Sequence, residues 1–380
     1  MTRAPETGRV AAIVDPEAIE SNCGLLAGRL QPGAELCAVV KADGYGHGAA
    51  PAAGAALRGG ATRIAVATAV EAEEIRMHFA EAPILVLGAM TGGELRTALA
   101  AGAEVGVWSE SFRALCSQLG GEGSPPVRVH VKHDSGMGRL GERDPDAVVE
   151  LARACAEDPG IELAGVWTHL ATADEDKDED ATSFMAEQLA SFAAVAERVR
   201  EIEPGVTVHA ANSAATLREP ASHFDMVRCG VAIYGLDPFQ RDAAGQGLKP
   251  ALELRSYVSD VKRFEAGESA GYARTWRAPT DTCVGVMPVG YGDGYRRAHS
   301  NNGEVLVRGA RHPVVGNVSM DNITIDLGPD TDVEPGDEAV LIGSQGGDRI
   351  WAEELAARTG TINYEITTAV SRRVPRVIGR

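Results

Sequence analysis

The chain has 380 residues, a formal net charge of −18 and 44% hydrophobic residues. This length suits about two domains. The acidic excess argues against a nucleic-acid partner, because phosphate binding needs clustered lysine and arginine, and equally against an anionic membrane surface. No apolar stretch approaches the ~20 residues of a membrane-spanning helix, and the N-terminal residues lack the apolar core of a signal peptide.

The cysteines are scattered and form no Cys-x-x-Cys pair; they stand at positions 23, 37, 116, 155, 229 and 283. In a chain of this length the pattern predicts reduced, mostly buried thiols rather than a disulfide frame or a zinc site. We therefore expect a cytoplasmic protein without a metal ion.

Short apolar runs alternate with longer alanine-rich stretches up to residue 240. The runs predicted as strands are 36–41, 63–66, 84–87, 103–107, 127–131, 163–167, 207–210 and 226–228. Stretches with helical spacing between them include 69–78, 92–100, 145–156 and 180–202. Strands alternating with helices predict a parallel sheet. Eight of them in this order favour an α/β fold with a closed (β/α)8 barrel of the TIM type over an open sheet.

The alternation of apolar runs and helical stretches stops at residues 236–247. This polar stretch contains two glycines, and we interpret it as a linker. The β-type runs after it are 251–261, 282–289, 304–307, 313–316, 323–327 and 338–342. Only 351–358 has helical character. The sequence therefore predicts a barrel domain over residues 1–240 and a C-terminal, mainly β domain over residues 241–380.

Lys41 directly follows the apolar run 36–40 and precedes the glycine-rich segment 42–48. Such a run, bounded by turn residues, is typical of a strand buried on both faces. The chemistry of α/β barrels lies at the carboxyl ends of their strands. A partly desolvated lysine has a lowered pKa and can form a Schiff base. Considered alone, however, a lysine after a strand is most often an ordinary surface residue.

The segment 136–141 matches the pattern G-x-G-x-x-G of dinucleotide sites. Those glycines open a helix directly after the first strand of a Rossmann unit. Here the helical signal begins only near Pro145, and the segment lies in the middle of the barrel pattern. We therefore do not expect a dinucleotide at this loop.

Eight segments resemble, in order, the signature sequences of the alanine racemase family. They are 39–48, 133–141, 167–174, 211–214, 226–230, 290–295, 318–321 and 362–365. Each match is weak alone, but together they span nearly the whole chain. The resemblance implies an isomerase dependent on pyridoxal 5′-phosphate (PLP), with a fold type III barrel. It also implies a homodimer with shared active sites that interconverts L- and D-alanine and supplies D-alanine for peptidoglycan.

The resemblance implies two catalytic bases, Lys41 and Tyr272. Lys41 would also carry PLP, and Tyr272 would come from the partner subunit. Racemisation exchanges a proton on both faces of Cα, and two bases on opposite faces satisfy that geometry. Tyr272 would remove the proton of the L isomer and Lys41 that of the D isomer. A phenol has a pKa of ~10, so Tyr272 needs help to act as a base near neutral pH. The resemblance implies that this help comes from a chain of side chains that runs from Tyr272 through His169 to Arg228.

Arg228 would face the pyridine nitrogen of PLP. Its guanidinium can donate a hydrogen bond to that nitrogen but cannot accept one. The ring then stays largely unprotonated and withdraws electrons less strongly, which limits side reactions such as transamination. From its position alone, an ion pair at a strand end is an equally good interpretation of Arg228.

The cofactor-binding residues that the resemblance implies are Lys41, Tyr45, His169, Asn212, Ser213, Arg228, Gly230, Val231 and Tyr364. Barrels often bind phosphate in the loops after strands 7 and 8, which suits Ser213 and Gly230. Glycine also allows the backbone to approach a ligand closely. A serine after Asn212 is also frequently just a helix N-cap.

For substrate binding the resemblance implies Arg139 and Met320. Arg139 would contact the substrate carboxylate and the cofactor's phenolic oxygen, and Met320 would donate a backbone N–H to the same carboxylate. Lys132 stands seven residues before Arg139, where the family often has a carbamylated lysine that orients the arginine. Asn317 stands where the family usually has an arginine. This departure concerns the lining of the access corridor rather than the chemistry.

We expect the remaining polar residues to be structural. Asp293 and Asp321 would support loops, and His47 and the histidines other than His169 would lie in packing or surface positions. The acidic run 174–180 is predicted to be a solvated loop, because like charges repel.

Three other functions fit part of the sequence. The first is a racemase for another amino acid such as serine, and the second is a PLP-dependent decarboxylase, which Arg228 disfavours. The third is a non-catalytic PLP-binding protein, which would need neither Tyr272 nor a second domain.

Overall fold

The structure is a computed structural model that describes residues 8–121, 124–175 and 179–379. These residues form two compact units. The barrel unit comprises residues 19–44 and 49–233, and the β unit comprises the described parts of 1–18, 45–48 and 234–380. This division differs from the predicted one chiefly at the N-terminus, whose first strand pairs within the β unit. Whether 1–240 and 241–380 fold as separate domains stays a prediction.

The first strand, β1 (Ala11–Val14), belongs to the β unit. The next eight strands close a parallel barrel: β2 (Glu35–Val39), β3 (Arg63–Val66), β4 (Ile84–Val86), β5 (Glu104–Val107), β6 (Val127–Lys132), β7 (Ile161–Trp167), β8 (Thr207–His209) and β9 (Met226–Cys229). The barrel closes where β9 pairs with β2, with Val227 opposite Leu36. The eight-stranded barrel predicted from the alternation of runs is confirmed, because each apolar run is buried as a strand.

The helices that precede residue 234 are α1 (Pro16–Ala27), α2 (Ala49–Arg58), α3 (Ala69–His78), α4 (Gly92–Ala100), α5 (Glu110–Leu119), α6 (Pro145–Ala156), α7 (Glu179–Ile202) and α8 (Ser213–Arg218). Capping boxes begin two of them. Thr68 and Glu71 form the box of α3, and Thr91 and Glu94 form that of α4. Each box satisfies backbone N–H groups that a helix start leaves without partners. Glu71 also takes part in the candidate site described below.

The β unit contains β10 (Leu252–Tyr257), β11 (Asp260–Phe264), β12 (Ser269–Ala270), β13 (Trp276–Arg277), β14 (Thr282–Met287), β15 (Glu304–Val307), β16 (Ala310–Pro313), β17 (Ile323–Gly328), β18 (Glu338–Gln345), β19 (Asp348–Ile350) and β20 (Arg376–Ile378). Its main sheet has the order β16-β15-β18-β10-β1-β20, with β19 beside β18. β1 pairs antiparallel with β10 and parallel with β20. A second sheet has the order β11-β14-β17.

Three expectations for the β unit were wrong in detail. The run 251–261 is divided between two strands, β10 and β11. The strand expected at 313–316 lies earlier, as β16, because it forms a hairpin with β15 that pairs Glu304 with Pro313. Two helices are present rather than one, α9 (Ala352–Thr359) and α10 (Asn363–Thr368).

The segment 236–247 is folded into the β unit and is not a free linker. Leu236 and Asp237 are buried. The Asp237 carboxylate accepts the N–H groups of Phe239 (3.2 Å) and Arg241 (3.0 Å). These bonds satisfy the backbone locally, so a polar sequence forms an ordered turn.

In the acidic run 174–180, residues 176–178 lie outside the described residues. Asp174 and Glu175 are exposed, as expected. Residues 179 and 180 are helical instead, because α7 begins at Glu179. In the part of the chain that the structure describes, we find no helix that is both long and apolar enough to cross a membrane.

Candidate active site

Lys41 lies at the carboxyl end of β2, where the strand ends and a tight turn begins. Ala42, Asp43, Gly44 and Tyr45 all have φ between 52° and 60°. For residues other than glycine this left-handed conformation costs about 1–2 kcal/mol each. Such strain persists only where the surroundings fix it, and it is common at functional sites.

Two carboxylates hold this left-handed turn. Glu71, at the start of α3, accepts the N–H of Ala42 through Oε1 at 2.7 Å. Asp43 accepts the N–H of Ala49 at 3.1 Å. The same Glu71 carboxylate accepts the N–H of Thr68 in the capping box at 3.1 Å. The position of Lys41 is therefore tied to the first turn of α3.

Burial lowers the pKa of the Lys41 amine, and the charge of Arg139 lowers it further, while Glu71 opposes the shift. The Lys132 side chain is buried at the end of β6, and burial together with Arg139 and Arg228 lowers its pKa to about 7. Both amines are therefore more readily neutral than an exposed lysine. The Nζ atom of Lys132 lies 4.2 Å from the centre of the Trp167 ring.

Arg228, in β9, is buried among uncharged acceptors. Its Nη2 donates to the carbonyl oxygens of Thr168 (2.7 Å) and Ala210 (2.9 Å). Nη1 lies 2.8 Å from Nδ1 of His209, and Nη2 lies 3.3 Å from Nδ1 of His169. Burial lowers the pKa of Arg228 to about 10, so the guanidinium stays protonated near neutral pH.

The contact predicted between His169 and Arg228 is present, and it fixes the state of the imidazole. Burial and the charge of Arg228 lower the pKa of His169 well below its usual value, so the ring is neutral. Since Nδ1 faces a guanidinium donor, the single ring hydrogen of His169 lies on Nε2. His169 thus offers an Nε2–H donor on the side away from Arg228.

Ser213 joins the loops that follow β8 and β9. Its Oγ accepts the N–H groups of Gly230 (3.0 Å) and Ala232 (3.3 Å). A hydroxyl oxygen with two donors on its lone pairs has its own hydrogen left to donate. Asn212 caps α8 by accepting the N–H of Ala215 at 3.0 Å, so the helix cap is Asn212 and not Ser213, which is the first residue of the helix.

The glycine-rich loop 136–141 wraps around the carboxylate of Asp134. That carboxylate accepts the N–H groups of Gly136 (3.3 Å), Gly138 (2.9 Å) and Arg139 (3.1 Å). The following helix begins only at Pro145. The loop therefore positions Arg139 and lacks the helix start that a dinucleotide site requires.

Tyr272 lies in the β unit, on a short 3-10 turn, and its side chain is 74% exposed. Ala273 and Arg274 have φ of 60° and 50°. The side-chain amide of Asn317 donates to the carbonyl oxygen of Tyr272 at 2.8 Å. The residue that departs from the family pattern thus holds the backbone of the predicted base, a role that sequence reasoning missed.

Met320 also lies in the β unit, on a loop that Asp293 supports. The N–H of Gly292 and the guanidinium of Arg373 donate to the carbonyl oxygen of Met320, at 2.9 and 3.2 Å. Buried Asp293 accepts the N–H of Gly290 (2.9 Å) and pairs with Arg373 (2.8 Å). Asp321 pairs with the same arginine at 2.8 Å. The expectation that these two aspartates support loops is confirmed.

The two tyrosines predicted to bind phosphate lie together in the β unit. The ring centres of Tyr45 and Tyr364 are 6.2 Å apart, and those of Tyr45 and Tyr234 are 5.1 Å apart. His47 stacks on Tyr234 at 4.5 Å and is buried, so its predicted packing position is confirmed.

Four large side chains of the family-like segments and the Tyr272 turn are exposed on the β unit: Tyr272 (74%), Met320 (52%), Ile362 (47%) and Tyr291 (43%). Exposed groups of apolar side chains often mark surfaces that another molecule covers.

Sequence reasoning missed three further buried groups in the barrel unit: Glu104 in β5, His130 in β6 and His209 in β8. The two histidines had been expected in packing or surface positions. The available signal was a polar residue within a run predicted to be a buried strand, because buried polar groups need hydrogen-bond partners. Within the described residues no cluster of three or more histidine, cysteine or acidic side chains could hold a metal ion.

Two family models match most of the chain. The model of the alanine racemase N-terminal domain matches residues 14–238, and that of the C-terminal domain matches residues 251–378. A curated relative named alanine racemase, from Symbiobacterium thermophilum, is 42% identical over 370 residues, 97% of this chain and 96% of the relative. Another of the same name, from Desulforamulus reducens, is 38% identical over 96% of this chain and 98% of its own length.

Solved structures give the same result. The crystal structure of an alanine racemase from E. faecalis superposes with a TM-score of 0.92 at 36% identity, covering 100% of both chains. The alanine racemase from Streptomyces coelicolor A3(2) gives a TM-score of 0.88 at 37% identity, covering 97% of this chain and 98% of that one.

Proposed function

This chain belongs to the alanine racemase family, and on that premise we propose that Lys41 carries PLP while Tyr272 of the partner subunit completes the active site. Members of the family are PLP-dependent isomerases, and the chain interconverts L- and D-alanine. The alternative of a serine racemase is not favoured, since the curated relatives are named for alanine.

The donor set around Lys41 fits PLP, which carries a phosphate and a phenolic oxygen. The charge of Arg139 lowers the pKa of Lys41, and the charges of Arg139, Arg228 and Lys41 lower the pKa of Lys132, so these cations lie close together. Clustering cations in a partly buried site is unfavourable unless an anion joins them. PLP is an anionic aldehyde. Its charge would compensate these cations, and its aldehyde can bond covalently to the Lys41 amine.

When bound, PLP supplies an electron sink that makes the α-proton of alanine acidic enough for side chains to remove. Ser213 would donate its hydroxyl hydrogen to the phosphate, together with backbone N–H groups at Gly230 and Val231. Tyr45 and Tyr364 would add their hydroxyls. The pairing of these two rings in the β unit supports a shared target.

Arg228 would limit how strongly a bound pyridine ring withdraws electrons. Its pKa of about 10 keeps it a hydrogen-bond donor near neutral pH, so it would donate to the ring nitrogen and could not accept a hydrogen bond from a protonated one. An unprotonated ring is a weaker electron sink, so this contact would disfavour side reactions such as transamination.

Lys41 and Tyr272 would move the proton. The lowered pKa of Lys41 suits both covalent attachment and proton acceptance, because both need a neutral amine. His169 presents an Nε2–H donor that would stabilise an oxygen anion on the partner subunit's Tyr272. Arg228 holds the imidazole through its contact with Nδ1 of His169. On the carboxylate of alanine, Arg139 and the N–H of Met320 would act as anchors, and a carbamate on Lys132 would orient Arg139.

The exposure of Tyr272 and Met320 supports the homodimer. A proton-transfer group must be held within hydrogen-bond reach of its proton, and a side chain that is 74% exposed on one chain needs a second surface to hold it. All six cysteines are free thiols and five are buried, which supports work in the cytoplasm. There the D-alanine product would serve peptidoglycan synthesis.

The observation that carries this proposal is the half-buried amine of Lys41 beside Arg139, at the carboxyl end of a barrel strand. Borohydride reduction of the purified protein, followed by peptide mapping, tests it, with D-alanine formation measured on the same sample. We expect the reduced cofactor on the peptide that contains Lys41. A label on the other buried amine, Lys132, or the absence of any label would contradict the assignment.

A further inference from the structure

A line of buried polar side chains crosses the interior of the barrel. It runs from Glu104 in β5 through His130 in β6 and His209 in β8 to Arg228 in β9. Nε2 of His130 lies 2.7 Å from Oε2 of Glu104. Nδ1 of His130 lies 2.8 Å from Nε2 of His209, and Nδ1 of His209 lies 2.8 Å from Nη1 of Arg228. Each separation is that of a normal hydrogen bond.

Elementary chemistry fixes the direction of these bonds. Arg228 can only donate, so Nδ1 of His209 accepts, and a neutral His209 then carries its hydrogen on Nε2. That hydrogen points to Nδ1 of His130, which accepts in turn and carries its own hydrogen on Nε2. The hydrogen of His130 ends on the carboxylate of Glu104. Every ring nitrogen therefore has one role, and all hydrogens point from Arg228 toward Glu104.

The protonation states agree with this direction. Burial lowers the pKa of both histidines, so both rings are neutral. Although burial acts to raise it, the bond from His130 and the charges of Arg63 and Arg128 hold the pKa of Glu104 at about 2. Glu104 is therefore ionised.

Arg228 needs a counter-charge that its own neighbours do not supply. In the described part of the chain, the acceptors reported within hydrogen-bond distance of it are two carbonyl oxygens and two imidazoles, all uncharged. Burial raises the pKa of the adjacent thiols Cys37 and Cys229 to about 12, so they are uncharged too. A buried cation without a partner is costly, and polarised hydrogen bonds in series transmit the effect of a remote charge.

The barrel is shaped around this line. A Cβ atom at position 165 would lie 2.0 Å from Nδ1 of His130, so Gly165 makes the space that this ring occupies. The ring of Trp167 stacks on His209 with a 3° angle between planes and 5.7 Å between centres. Both imidazoles are thus held in one orientation.

We propose that Glu104, His130 and His209 are positioning residues that act through Arg228. They form a one-way hydrogen-bond relay that brings the influence of the Glu104 charge to the guanidinium and fixes its orientation. The protein acceptors described above take one Nη1 hydrogen and both Nη2 hydrogens. The hydrogen on Nε would then be available to the ring nitrogen of the cofactor. This last step rests on the proposed function.

The first test is nitrogen NMR of the purified protein with 15N-labelled histidine, assigned with single His130 and His209 variants. The relay predicts that both rings are neutral, with hydrogen on Nε2 in each. A hydrogen on Nδ1 of either ring, or a charged ring, overturns the proposal. This readout needs no variant to retain cofactor and holds even if PLP proves not to be the cofactor.

The second test uses two substitutions that keep shape but interrupt the relay at different points. Glu104→Gln removes the charge. His209→Asn keeps an acceptor for Arg228 but removes the donor toward His130. We expect each to shift the absorption maximum of bound PLP and to raise its dissociation constant on the order of tenfold, the loss of one charge-assisted hydrogen bond. The double variant should be no weaker than the weaker single one, because both changes cut the same line.

The control is Val129→Ala, which removes buried volume from β6 beside His130 without touching the relay. It should lower the melting temperature but leave the absorption maximum unchanged. If the relay variants behave like this control, or if their effects on PLP binding add, these residues serve packing alone and the proposal fails. A protein that never binds PLP would instead contradict the proposed function, while the NMR result would still test the relay.

Discussion

The barrel unit and the β unit hold their candidate residues in opposite ways. In the barrel unit Lys132, Ser213 and Arg228 are buried, and neighbouring side chains and backbone fix them. In the β unit Tyr272 and Met320 are exposed, and only their backbone is held. Buried polar groups are specified by their own chain, because leaving one unsatisfied is costly. An exposed phenol carries no such constraint, so its precise position depends on what covers it.

The charges around the candidate residues differ between the two units. Around Lys41, in the barrel unit, cations lie close together and lower the pKa values of Lys41 and Lys132. In the β unit the arginines meet carboxylates, as where Arg311 pairs with Glu354 at 2.6 Å. Paired charges stabilise a fold, whereas unpaired cations of like sign prepare a site for an anion. This difference supports the proposal that the cofactor binds in the barrel unit and that the β unit of another chain supplies one proton-transfer group.

Replacement of Lys41 should have the largest effect. Lys41→Ala would remove both the proposed attachment point and a proposed base, so we expect loss of the visible cofactor band and a fall in racemase activity of more than about 10⁴-fold. Absorption spectroscopy and a chiral alanine assay measure the two effects. Lys262→Ala, at an exposed lysine paired with Asp260, is the control and should keep both properties. A K41A protein with a borohydride-sensitive band would rule out Lys41 as the anchor.

Tyr272→Phe removes a single oxygen from the exposed base. Because this phenol would act only on the L isomer's face, we expect the loss of the α-proton from L-alanine to slow by about 10²–10⁴-fold. The loss from D-alanine should slow much less. Deuterium exchange, measured for each isomer in D₂O, gives both rates, with Tyr257→Phe as a matched control in the same unit. Equal slowing for the two isomers would contradict the assignment of one base to each face.

Asn317→Ala should have a smaller effect, because it removes one hydrogen bond to the backbone of Tyr272. A bond of this kind contributes about 0.5–1.5 kcal/mol, so we expect roughly a 2- to 10-fold lower kcat with binding of PLP unchanged. Ser259→Ala removes a comparable bond, to the carbonyl of Val286 at 2.9 Å, and is the control. If both variants retain full kcat, the turn needs no help from Asn317, and the partner subunit alone orders it.

Lys132 provides a pH test with the smallest expected effect on activity. A neutral amine adds CO₂ and releases a proton, and burial with Arg139 lowers the pKa of Lys132 to about 7. The neutral fraction therefore rises as pH increases through that value, so a ¹³C carbamate signal from ¹³CO₂ should grow between about pH 6 and pH 8. Lys132→Arg should abolish the signal. A signal that appears only near pH 10, as for an exposed lysine, would contradict the shift.

The barrel could be predicted because its strands are local. The residues from Ile64 to Val66 are apolar and buried, and similar short apolar runs alternate with helical stretches along the barrel unit, so the eight strands could be predicted from that alternation. The position of Lys41 at a strand end follows in the same way. The helices Ala69–His78 and Gly92–Ala100 also have the bounds that helical spacing predicted.

The features that could not be predicted from the sequence depend on contacts between residues that are far apart in the chain. β1 pairs with β10 across more than two hundred residues, and no local pattern announces that pairing. The relay from Glu104 to Arg228 joins four strands, and no local pattern in one strand indicates which polar residue of another it contacts. The role of Asn317 could not be predicted because its amide contacts a backbone carbonyl oxygen, that of Tyr272. Every residue has such an oxygen, so the residue type at position 272 does not indicate the contact.

The most direct test of the central claim is complementation between two inactive variants. Lys41→Ala and Tyr272→Phe chains, produced separately and then mixed under conditions that exchange subunits, form mixed dimers in which one site regains both bases. With random pairing, half of the dimers are mixed and each has one intact site, so racemase activity should recover to about a quarter of the unmodified level. If the mixture stays as inactive as its parents although exchange is demonstrated by mass, Lys41 and Tyr272 do not meet across two chains, and the account is wrong.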